Sequence, residues 1–158
     1  MVQRPGTFAG FVAVLAAVFL FVTPAAPLRA ADTIDYRPFG DILKKYVSKE
    51  GLVDYKSLKA NRGPLDDFVK TLAQVPTAEF RKGSTDEQIA FWINAYNALT
   101  LQVIIDHYPI QPGGFISSLR FPDNSIRQID GVWDKITFRV MGRGMTLEEI
   151  EHETLRKD

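Results

Sequence analysis

A chain of 158 residues has room for one core of ordinary size and no second domain. Its 19 Lys and Arg side chains are matched by 19 Asp and Glu and are dispersed among them, so there is no basic stripe to neutralise phosphates and nucleic acid is excluded as a partner. Cysteine is absent, which removes disulfides, a thiol nucleophile and a thiolate metal site together.

The first thirty residues stand apart from the rest of the chain. Arg4 gives a positive start, Phe8 to Val22 is an apolar run of 15 residues, and small residues fill the stretch before the first acid, Asp32. Residues 1–31 therefore read as a secretory signal peptide cleaved between Ala26 and Asp32, with 32–158 as a single exported domain, periplasmic or extracellular. The run is shorter than the roughly 18–20 residues that span a bilayer, and Pro24 and Pro27 block its extension, so no stable membrane span is expected once the signal is removed.

After the signal, Phe39, Ile42, Leu43, Tyr46 and Val47 recur at helical spacing, with Gly51 placed as a left-handed cap. Leu52 to Tyr55 reads as a brief extended segment. Pro64, at a first helical position, opens a second helix with Leu65, Phe68, Val69 and Leu72 on one face, and Pro76 closes it. Thr77 to Gly83 is a linker.

The stretch from Ser84 to Pro109, STDEQIAFWINAYNALTLQVIIDHYP, organises the rest. Ser84 and Glu87 form a capping box, Pro109 stops the run, and no glycine or proline interrupts it, which predicts one long, largely buried helix over about 85–107. At about 100° per residue, Gln88, Gln102 and Asp106 make a narrow wet stripe. Ile89, Ile93, Tyr96, Val103 and Ile104 cover one apolar flank, and Ala90, Leu101 and Ile105 continue round the other side. Asn94 and Asn97 then fall among apolar neighbours. A buried amide without partners costs roughly 1–3 kcal/mol per unmade bond, so both are expected to be bonded. Either they tie the helix to a neighbouring loop, or they line a polar site with Tyr96 and orient a ligand.

Beyond Pro109 the prolines and glycines at 112–114 and 122 predict loop rather than helix. Ile136, Phe138 and Val140 alternate as in a half-buried strand, with Gly142 and Gly144 turning it. Thr146 and Glu149 form a second capping box, which opens a C-terminal helix carrying Leu147, Ile150 and Leu155. Glu151 falls on that helix's apolar face with His152 at its edge. The carboxylate must pair with Arg120, Arg127 or Arg139, hold a cation, or become neutral. No nucleophile elbow, zinc-protease spacing or phosphate-cradling glycine loop is present, and no cofactor or metal is expected. The candidate polar cluster is Asn94, Asn97, Tyr96, Glu151 and His152, expected to lie buried beneath the Ser125 to Val140 region.

AFWINAYNALTLQVIIDHYP, preceded by GLVDY at Gly51 to Tyr55 and followed by Ser125-Ile126, Trp133 and TLEEIEHETLR from Thr146, resembles the domain of unknown function 547 (DUF547) family over essentially the whole mature chain. The resemblance implies an α+β domain, often exported in bacteria, with no settled activity. It also implies further strands with a His-containing segment and then cysteines beyond the last helix. The chain is therefore expected to be incomplete at its C-terminus. Any papain-like or transglutaminase-like amide hydrolysis would need a Cys and His from that region. The resulting expectation is a binding or scaffolding module for an unidentified small molecule or protein. Part of the central helix is expected to be left uncovered and free to self-associate.

Overall fold

The computed structural model describes residues 34–111, 121 and 124–152. In chain order the elements are α1 (Arg37–Tyr46), α2 (Tyr55–Ala60), α3 (Gly63–Gln74), α4 (Thr77–Phe80), α5 (Thr85–His107), a 3-10 turn (Ile126–Gln128), β1 (Phe138–Val140), β2 (Arg143–Met145) and α6 (Leu147–Ile150). The signal segment, the loop prolines and glycines at 112–114 and 122, Arg120 and Leu155 lie outside the described residues.

In α1, Pro38 sits in the first turn, where its missing N–H costs nothing, and Lys44 and Lys45 in the last turn favour the negative end of the helix dipole. The helix ends with Val47 extended, and Val47 pairs with Val53 across an isolated bridge. Gly51, at φ +82°, therefore serves the turn that closes this bridge and not the helix end. No left-handed residue is needed at the helix end, because the Val47 N–H already meets the Leu43 carbonyl at 2.9 Å.

Asp54 does not continue an extended segment. Its carboxylate accepts from the Ser57 N–H at 3.0 Å and starts α2, a helix of 6 residues, too short for apolar periodicity to announce. α3 runs as expected from Pro64 and buries Leu65, Phe68 and Leu72. The linker to α5 holds the single turn of α4, whose Phe80 packs at 5.1 Å and 5.7 Å, centroid to centroid, from Phe91 and Trp92.

α5 opens on the expected capping box. The Ser84 hydroxyl accepts from the Glu87 N–H at 3.3 Å, and the Glu87 carboxylate accepts from the Ser84 N–H at 2.7 Å. The helix ends at His107, where the Lys59 ammonium donates to the carbonyl of the capping residue Tyr108. That contact places a cation at the negative end of the helix dipole.

The strand is shorter than the alternation suggests. Lys135 and Ile136 both donate to the Gly131 carbonyl, at 2.9 Å and 3.0 Å, and this turn takes Ile136 out of any ladder. β1 and β2 pair antiparallel with Phe138 opposite Met145 and Val140 opposite Arg143. Met141 and Gly142 turn the hairpin at φ +48° and +74°, the two positive angles of a type I′ turn. Their N–H groups donate to the carbonyls of Leu72 and Ala73 at 2.9 Å each, so the hairpin tip closes the C-terminal end of α3. Thr146 and Glu149 form the second capping box at the start of α6.

The core joins these pieces around one side of α5. Leu65 and Leu72 of α3, Ala95, Ala98, Leu99 and Ile105 of α5, Val140, Leu147 and Ile150 are sealed completely. α5 packs on α2, α3 and α6, and α3 packs on α1 and β1. The architecture is mainly helical α+β, built on the long helix, with one small hairpin. Among the described residues no helix is long and apolar enough to cross a membrane.

Candidate functional site

The long helix is not wrapped on all sides. Its buried positions are Phe91, Trp92, Ala95, Ala98, Leu99, Leu101, Val103, Ile104 and Ile105. Over the first turns the opposite flank is open, with Asp86, Ile89, Ala90, Ile93 and Asn97 all exposed. Ile89 and Ile93 keep 43% and 45% of their surface in contact with solvent. With Asn97 they follow at successive steps of four residues, so they form one ridge along the helix.

This geometry corrects the reading of the two amides. Asn97 points to solvent, and Asn94 is part-exposed and donates to the Ala90 carbonyl of its own helix at 2.9 Å. Neither amide bonds to a loop among the described residues. The wheel places both beside apolar residues, but on this flank Ile89, Ala90 and Ile93 are themselves uncovered, so apolar neighbours did not mean burial. Tyr96, at the margin, is partly buried against the core.

The other two candidates sit on the turn after α6, where Glu151 is part-exposed and His152 exposed. α6 itself, over Leu147–Ile150, packs on α5. A single buried cluster of Asn94, Asn97, Tyr96, Glu151 and His152 does not form, since Asn97 and His152 both face water. Among the described residues no three His, Asp or Glu side chains gather as a metal site would require.

The stripe of Gln88, Gln102 and Asp106 also does more than face water. Arg62, just before α3, donates to Asp66 at 2.7 Å and 3.0 Å and to Asp106 at 2.7 Å, and Gln102 donates to Asp66 at 3.3 Å. The Arg62 guanidinium is the largest influence holding the Asp66 carboxyl below its ordinary range; partial burial opposes it, and Gln102 assists. Arg62 itself is pushed further up by the same two carboxylates. α5 is thereby locked to α3 on one side while the other side stays open.

Sequence reasoning overlooked the clefts beside the 3-10 turn. One, of about 400 Å³, is lined by His107, Pro109, Ile110, Gln111, Gln128, Ile129 and Asp130. Its neighbour, also about 400 Å³, shares Ile129 and Asp130 and adds Phe121, Arg127, Val132, Trp133 and Asp134. The signal was the mixed Arg127-to-Lys135 segment, but only tertiary structure shows that it borders a depression.

Fold and site together define a helical α+β domain organised on one capped helix with an uncovered flank. The family profile "Protein of unknown function, DUF547" matches residues 80–158, and the chain belongs to this family. The match covers the central helix, the hairpin and the last helix; the Gly51 to Tyr55 motif, part of the resemblance drawn from sequence, lies outside it. No curated protein and no solved structure matches the chain.

Proposed function

We propose that this chain is an exported binding module, and that its docking face is the open flank of α5, occupied by a second copy of the same chain. The observation that carries this reading is the exposure of Ile89 and Ile93 at 43% and 45% on a helix opened by a complete capping box. Two isoleucines held in water by a loop can fold away; here the backbone is fixed.

A second copy suits the face because an isologous contact must be self-complementary. Between Asp86 and His107 the exposed residues of the flank carry no charge, so two copies meet across a two-fold axis without like-charge repulsion. Antiparallel pairing about Ile93 sets Ile93 against Ile93 and Ile89 against Asn97. One such helix pair buries less than the roughly 1,200 Å² of a standard interface, which makes the dimer weak. Export rests on Arg4, the apolar run Phe8 to Val22 and the small residues ahead of Asp32.

Sedimentation velocity over a concentration series tests the reading. The wild-type chain is expected to shift toward dimer at tens to hundreds of micromolar, and Ile93→Glu to remain monomeric with its thermal melt unchanged. A wild-type chain that stays monomeric throughout, or an Ile93→Glu chain that dimerises equally, would contradict it.

A further inference from the structure

Asp130 and Gly131 are the central residues of a turn that follows the 3-10 turn, and they make the one Asp-Gly pair in the chain. The corners of this turn are fixed. Ile129 and Val132 are buried, and the Val132 N–H closes the turn on the Ile129 carbonyl at 3.3 Å. Gly131 stands at φ +64°, where a Cβ would lie 2.5 Å from the Lys135 Cβ, so only glycine fits. Its carbonyl accepts from Lys135 and Ile136 at 2.9 Å and 3.0 Å.

The groups between those corners are not held. Among the described residues nothing accepts the Gly131 N–H. The Asp130 side chain keeps 92% of its surface in solvent. Its partner is the Lys135 ammonium, 3.3 Å and 3.5 Å from the two carboxylate oxygens and itself 65% exposed, a pairing too wet to immobilise the carboxylate. A mobile carboxyl carbon and an unengaged amide nitrogen are therefore adjacent along the chain, and the glycine has no side chain to shield its nitrogen.

Other aspartates of the chain lack this combination. The carboxylates of Asp35, Asp54 and Asp66 accept from Arg37, Ser57 and Arg62 at 2.7 Å, 3.0 Å and 2.7 Å. Asp41, Asp67 and Asp106 lie inside helices, where the following N–H is taken up by the helix ladder. The N–H that follows Asp86 donates to the Ser84 hydroxyl, and the one that follows Asp134 donates to the Gly131 carbonyl.

We propose that Asp130-Gly131 is a modification site at which the folded chain isomerises itself to isoaspartate. The Gly131 nitrogen attacks Cγ of the protonated Asp130 carboxyl. An N–C bond forms, the bond from Cγ to the hydroxyl breaks, and the hydroxyl leaves with the amide proton as water, closing a five-membered imide. Water then adds back. Opening at Cγ restores aspartate, whereas opening at the main-chain carbonyl routes the backbone through the side chain and leaves the α-carboxyl free. One water is lost and one regained, so the mass is unchanged and no further reactant is needed. The backbone gains one carbon between fixed corners, and the bonds to the Ile129 and Gly131 carbonyls cannot all be kept. Trp133 follows at once, and its carbonyl accepts from the Glu148 N–H at 2.9 Å, so the change is passed on to the start of α6.

The test ages the full chain at neutral pH, folded and in denaturant. Its peptides are mapped by mass spectrometry that separates aspartyl from isoaspartyl isomers and registers the imide as a peptide lighter by one water. Isoaspartate is expected at residue 130 in the folded chain at a rate within about tenfold of the denatured rate, ahead of every other aspartate named above. Asp130→Glu keeps the charge but needs a six-membered ring, and is expected to abolish the signal. Asp130→Asn is expected to form the same imide faster, with loss of ammonia. The side chain is exposed, so both variants keep the wild-type melt. Greater protection of residue 130 by the fold, earlier isoaspartate at another of these aspartates, or a signal that persists in Asp130→Glu would overturn the inference.

Discussion

Asn97 shows what a helical wheel can and cannot say about a residue. Its neighbours at one turn are Ile93 and Leu101, and only the second is covered. An amide at a half-open position satisfies itself with water, so no desolvation penalty is stored there. Asn97→Leu is accordingly expected to change stability by no more than about 0.5 kcal/mol, as for ordinary surface substitutions, and to tighten self-association by adding apolar area opposite Ile89. Thermal melts check the first part; a loss above about 1 kcal/mol would restore the amide to a structural role. The reading of Asn94 and Asn97 as buried assumed that an apolar circumference is a covered one. Composition along a helix shows which residues prefer burial, but whether other elements reach each side depends on tertiary packing.

Among elements, those legible in the sequence were the ones with their own local chemistry. The boxes at Ser84–Glu87 and Thr146–Glu149 each fix a helix start through bonds between residues three apart, and Pro64 does so at the start of α3 through its fixed φ. α2 was missed although Asp54 and Ser57 carried a cap signal, because a helix of 6 residues shows too little periodicity beside Leu52-Val53. The junction between α3 and α5 was hidden for another reason: the pair Arg62 and Asp66 is distant in sequence from the pair Gln102 and Asp106, and each pair reads alone as surface. The Asp66 carboxyl is held below its ordinary value by Arg62, so its contribution is complete above the unfolded carboxylate pKa of about 3.9 and is lost as pH falls through the lower folded value. Asp66→Asn is expected to lower the melting temperature at neutral pH, with the gap to wild type narrowing as the solution is acidified below about pH 4. A gap that stays constant or widens toward low pH would show that the ion pairs do not lock α3 to α5.

At the scale of the whole molecule, one capped helix is packed on α2, α3 and α6, while the flank of its first turns, from Ile89 to Asn97, is left open, and the dimer proposal rests on that asymmetry. A chain without cysteine offers a direct test, because a single introduced thiol reports only its own surroundings. A disulfide forms when two Cα atoms approach within roughly 7 Å, as the two copies of residue 93 would across the proposed axis. Ile93→Cys and, as a control, Lys44→Cys on the exposed side of α1 are oxidised at equal protein concentration, and dimer formation is followed by non-reducing electrophoresis. The Ile93→Cys chain is predicted to cross-link at least tenfold faster than the control, and dilution is predicted to abolish the difference. Equal rates for the two positions would contradict the docking of α5 on its own copy.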